Sequence, residues 1–162
     1  MITYKIVMGL TLFLTALITG LFYSWSVSAS PGLHRLNDES YLQSMQHVNR
    51  AILNPAFFAS FMGTVIMMLV CTVVVYRQGS ATAFWLMLAA ALLYIIGTFG
   101  ITVVKNVPLN NMLDQLNIQG ATAAELRGFR MQFEMPWNKW NVVRTVAGMM
   151  SLMSAIASAL VK

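Results

Sequence analysis

Trp137, Asn141 and Arg144 stand at i, i+4 and i+7 at the head of the last apolar run of the chain, so a helix puts them on one face. An arginine one turn inside a membrane span needs a partner or a wet cavity, because an unpaired charge in hydrocarbon is costly. Two other stretches have the same character. In one, Asn49, Arg50 and Asn54 lead into an apolar run; in the other, Lys105, Asn106, Pro108 and Asn110 close one. The three are expected to meet at one end of a helical bundle. There Asn49, Arg50, Asn54, Asn110, Asn141 and Arg144, with the aromatic Tyr23, Trp137 and Trp140, could form a pocket whose fixed donors stabilise an oxyanion on a planar apolar ligand. The competing reading is that these side chains cap helices and tie loops down at the membrane surface, a role that suits Asn54 and Asn110 near their prolines.

Composition decides the class. The 162 residues are 58% hydrophobic and 9% charged, with mean hydropathy +0.69, far from a soluble globular protein. The net charge of +5 is spread between apolar runs and forms no basic tract, so no nucleic-acid partner is expected. The single cysteine, Cys71, sits in an apolar run and excludes an intrachain disulfide. All five acids (Asp38, Glu39, Asp114, Glu125 and Glu134) and both histidines (His34 and His47) fall outside the apolar runs. This argues against a proton-coupled transporter, which needs an ionisable group within the membrane. His34 and Asp38 are four apart, and folding would have to bring His47 to Glu134. No HExxH, paired-Cys or Glu-x-x-His spacing accompanies them. No metal site and no cofactor is predicted, although iron or copper is not excluded. There is no glycine-rich nucleotide fingerprint and no assembled Ser-His-Asp set.

The elements follow from the runs. Residues 6–27 hold no charge and are long enough to cross about 30 Å of hydrocarbon. Lys5 and the Ser28-Ala29-Ser30 sequence raise a signal-peptide alternative, but the run is long for one, and Tyr23 and Trp25 near its end resemble an interfacial belt. Ala16 and Gly20 suit close helix contact. Pro31-Gly32 reads as a turn, and Asn37-Asp38 as the cap of a short amphipathic helix running to about Ile52. Asn54-Pro55 opens a second span, 55–76, and a tight Arg77-to-Ser80 connection makes the third, 83–104, its antiparallel neighbour. Lys105 and Pro108 mark the exit. Thr122 and Glu125 match a capping box for a second short helix, 123–133, stopped before Pro136. The fourth span is 140–161, where Ala147, Ser151, Ala155 and Ala159 form a small-residue stripe. The expectation is a single all-α domain, a four-helix membrane bundle with two short interfacial helices on one side. Seven Lys/Arg on that side face Lys5, Arg77 and Lys162 on the other. Four of the seven are candidates for a site, so orientation stays unassigned.

At these residues the chain resembles the anthrone oxygenase family of small four-span membrane proteins. The likeness rests on Gly20-Leu21-Phe22-Tyr23-Ser24-Trp25-Ser26-Val27 with Pro31-Gly32-Leu33, and on Met45-Gln46 with Asn49-Arg50-Ala51-Ile52-Leu53-Asn54-Pro55. Asn106-Val107-Pro108-Leu109-Asn110, Trp137, Trp140-Asn141 and Val143-Arg144-Thr145 complete it. Relatives often carry histidine where this chain has Val142. The resemblance implies oxidation of an anthrone to an anthraquinone by dioxygen, without a required cofactor. Arg144 and Asn141 would be oxyanion donors, Arg50 and Asn110 orienting partners, and His47 the base. Asn49, Asn54, Trp137, Trp140 and Tyr23 would bind substrate. The implied partners are a lipophilic small molecule, dioxygen and membrane lipids, with a homo-oligomer compatible with the composition. The alternative is a non-catalytic membrane protein that binds a lipid or quinone-like ligand or a partner protein.

Overall fold

The computed structural model describes residues 2–161; Lys162, one of the three cations assigned to the short-loop side, lies outside them. Among these residues the fold is all-α, with five helices and no strand. α1 runs Ile2–His34, α2 Asp38–Ala51, α3 Pro55–Tyr76, α4 Ala81–Asp114 and α5 Ala123–Leu160. All but α2 are long and apolar enough to cross a membrane.

These four make a closed ring in which α1 packs on α3 and α5, and α4 packs on α3 and α5. Hydroxyl bonds set the antiparallel register of α4 and α5. Ser158, Ser154 and Ser151 donate to the Ala83, Leu86 and Ala90 carbonyls at 2.7 Å, and Thr98 donates to the Arg144 carbonyl at 3.2 Å. Such bonds satisfy polar groups that lipid cannot. Gly97 faces Ala147 so closely that a Cβ on it would lie 2.6 Å from the alanine methyl, which is where the small-residue stripe is used. Gly79, with φ +85°, turns the short α3–α4 connection.

Three expected boundaries do not exist. Pro31, Pro108 and Pro136 all lie inside continuous helices. Before Pro31 and Pro108 the chain takes π-helical turns, Trp25–Ala29 and Thr102–Asn106, where Ser30 N–H donates to the Trp25 carbonyl and Val107 N–H to that of Thr102. The wider turns shift the backbone bonding pattern just ahead of each proline, the kind of local adjustment by which a membrane helix accommodates a residue with no N–H. Around Pro136, α5 stays α-helical, so the expected helix over 123–133 is its first third. Ala16 and Gly20 are also not contact positions. They face outward, because α1 buries Thr11, Thr15, Ile18, Thr19 and Phe22 on its other side.

At 38 residues α5 is about 57 Å long, roughly twice the hydrocarbon thickness. Its first third stands beyond the bundle and joins α2 and the end of α4 in a cap. Tyr41, Leu42, Met45, Leu113, Leu126, Phe133 and Trp137 form the cap's own apolar core. Asn37 caps α2, and Thr122 and Glu125 make the capping box of α5. Burial and the Glu134 carboxylate push the Tyr41 phenol above its ordinary range.

Candidate functional site

Where cap meets bundle, a cavity of about 170 Å³ is lined by Leu21, Phe22 and Trp25 of α1, Val48 and Asn49 of α2, Ile52 and Leu53 of the following link, Phe57 of α3, Thr102, Val107 and Asn110 of α4, and Trp137 and Arg144 of α5. Two π-helical turns begin at Trp25 and Thr102, and a longer π-helical segment, Leu93–Gly100, precedes the second of them in α4. An extra residue in a helical turn rotates the remainder of the helix about its axis, and here it aims α1 and α4 at one space. Leu21, Leu53 and Val107 are exposed, which gives the cavity an apolar rim.

Arg144 is 6% exposed. Its Nε and Nη2 donate to Asn141 Oδ1 at 3.0 and 2.8 Å, and Nη1 donates to Thr102 Oγ1 at 3.3 Å. Asn141 is held in turn by donating to Ser26 Oγ at 2.8 Å. The guanidinium carbon lies 3.9 Å from the centre of the Phe22 ring and 5.3 Å from that of Trp137, a cation–π arrangement that partly offsets desolvation. Among the described residues no carboxylate pairs with it. One N–H on each Nη is left over from the five a guanidinium carries. Trp25 Nε1 and Asn49 Nδ2 are also buried without a partner. Trp137 Nε1 is engaged, donating to Asn110 Oδ1 at 2.6 Å, and its ring lies 5.5 Å from that of Trp25.

The structure thus brings Asn49, Asn110, Trp137, Asn141 and Arg144 together and leaves other candidates outside. Arg50 is exposed and pairs with Asp114 at 2.6 Å. His47 is exposed and does not line the cavity. Asn54 caps α3 by accepting from Phe57 N–H, Tyr23 is half exposed, and Trp140 packs under the ammonium groups of Lys105 and Lys139. Val142 faces outward at 51% exposure, so a side chain at this position does not reach the cavity. Among the described residues no three His, Cys, Asp or Glu side chains cluster. Phe22, Trp25, Ser26 and Thr102 were not singled out for the site from sequence, being ordinary residues of an apolar run. The Phe22-Tyr23-Ser24-Trp25-Ser26 sequence was the signal available.

A family model described as anthrone oxygenase matches residues 55–154, more than half of the chain. The chain belongs to the anthrone oxygenase family. Within the matched segment lie Phe57, Thr102, Asn110, Trp137, Asn141 and Arg144; Phe22, Trp25 and Asn49 precede it, so the cavity joins matched and unmatched parts of the chain. No curated protein and no solved structure matches it.

Proposed function

We propose that this anthrone oxygenase family member is a membrane oxidoreductase that oxidises a lipophilic polycyclic aromatic, anthrone-like, with dioxygen at the Arg144 cavity. The observation that carries the reading is a buried guanidinium with free N–H groups and no counter-carboxylate, set in aromatic walls. Such a group suits a reaction in which negative charge appears on a ring oxygen. Loss of a proton from the methylene between the rings to water puts that charge on the carbonyl oxygen, where Arg144 stabilises it. The electron-rich anion then adds dioxygen at the former methylene carbon. The peroxide takes up a proton and loses water, leaving one oxygen atom as the new carbonyl. Asn141 orients Arg144, Asn110 orients Trp137, and the aromatic rings hold the substrate plane. Leu21, Leu53 and Val107 form the entry from the bilayer, which in a bacterial cell is the cytoplasmic membrane.

The test is oxygen uptake by purified, metal-analysed protein with anthrone, against Arg144→Met. Substrate-dependent uptake that falls by about 100-fold in the variant is the expected result, the size seen on removing one oxyanion donor. Uptake no higher than the spontaneous rate overturns the oxygenase reading in favour of a ligand-binding protein. Uptake that survives in the variant removes Arg144 from the mechanism.

A further inference from the structure

Among the described residues, the cavity is lined by donors and a positive charge but by no titratable base. Its unengaged polar groups include the two N–H groups left on Arg144, Trp25 Nε1 and Asn49 Nδ2. Of the acceptors beside them, Asn110 Oδ1 is engaged by Trp137 and Thr102 Oγ1 by Arg144, which leaves the Asn49 carboxamide oxygen, an acceptor far too weak to serve as a base. The titratable groups of every surrounding element lie elsewhere. On α1, Tyr23 is half exposed, Tyr4 and exposed Lys5 stand at the far end, and His34 pairs with Glu134; α3 has no charged residue. On α2, His47 is exposed and Arg50 is paired with Asp114 of α4. Lys105 of α4 and Lys139 of α5 lie over Trp140. Further along α5, Arg130 and Glu134 are tied to Asp38 and His34. None of these groups lines the cavity.

We infer that the cavity takes its ligand as a preformed anion, a planar lipophilic phenolate or enolate whose proton has already gone to water, and that Trp25 and Asn49 join Arg144 in binding the oxyanion. The inference rests on reading the cavity as the ligand site and goes beyond it in naming the ligand's charge state. A neutral carbonyl could accept from the same donors, but it would leave the guanidinium without a countercharge. An anion cancels the one net charge the cavity holds, and in apolar walls that difference favours the ionised form. The pH profile of turnover then tracks the acidity of the substrate and is independent of any protein side chain.

The experiment uses a hydroxyanthraquinone and its O-methyl ether. Both are already fully oxidised, so binding is read apart from turnover. The full chain in detergent micelles is titrated with each probe across a pH series, with empty micelles as blank, and the red-shifted phenolate absorption band is followed. The expected result is a phenolate band on the bound hydroxy probe whose midpoint lies about one pH unit or more below that in empty micelles, with the ether bound at least about tenfold more weakly. Arg144→Met removes the displacement of the midpoint, Arg144→Lys retains part of it, Trp25→Phe and Asn49→Leu each reduce it, and His47→Ala leaves it unchanged. A bound probe with a neutral spectrum, an ether that binds equally well, or no saturable binding overturns the inference. Phenolate binding without anthrone-dependent oxygen uptake leaves the anion site standing and removes the oxygenase reading.

Discussion

α5 carries two buried arginines, fourteen residues apart on the same inward face, and their surroundings are opposite. Arg130 is paired with two carboxylates and engages four of its five N–H groups. It donates to Asp38 at 3.0 Å, to Glu134 at 2.7 Å and to the carbonyls of His34 and Leu36 at 2.8 Å, with its guanidinium carbon 4.3 Å from the Tyr41 ring centre. Glu134 also meets His34 at 2.8 Å. This network ties the end of α1 and the start of α2 to the cap. Arg144, four turns further along, has amide and hydroxyl acceptors, two aromatic faces and no carboxylate. A buried charge paired with carboxylates offsets its desolvation through those contacts, whereas one without a countercharge is a cost to the fold. The first arrangement belongs to a structural joint; under the proposed function the second serves a ligand.

The comparison is broken most sharply at Arg130. Arg130→Met leaves Asp38 and Glu134 facing each other without a cation, and should lower stability by about 3 kcal/mol, read as a depressed melting temperature in detergent. Arg144→Met should shift melting far less while abolishing phenolate binding. Equal losses of stability in the two variants would erase the distinction. Asn141→Leu removes the acceptor of two guanidinium N–H groups and should cost about 2 kcal/mol, with a parallel loss of uptake because Arg144 is no longer oriented. Gly97→Val tests the packing beneath the site. The Ala147 methyl stands where the new side chain must go, and overpacking of this kind costs about 2 kcal/mol, measured by the same melts. Thr122→Ala gives the smallest effect, about 1 kcal/mol for a lost N-cap, and should leave ligand binding intact because the cap terminus is remote from the cavity.

Much of this was legible in residue order. The asparagine caps at 37 and 54, the capping box at Thr122 and Glu125, and the apolar runs all depend on neighbours within a turn or two, where sequence and structure are nearly the same information. The prolines misled because their effect depends on what the preceding turn does. A π-helical turn absorbs Pro31 and Pro108, and nothing in the local residue types announces one. The candidate site divided for a similar reason. Asn49 and Arg50 are adjacent in sequence but a helix points them in different directions, so one lines the cavity and the other pairs with Asp114 at the surface.

Residue order alone determined that this chain is an all-α protein with four membrane-length helices, because burying twenty apolar residues at a time leaves few other solutions. It also placed an arginine inside the fourth of them. Only the tertiary structure decided what that arginine meets. Whether a carboxylate from thirty or a hundred residues away arrives beside a guanidinium depends on helix rotation and register, which sequence spacing does not contain. Here those rotations deliver Asp38 and Glu134 to Arg130, and Phe22, Thr102 and Trp137 to Arg144, so that among the described residues one charge meets carboxylates and the other meets none.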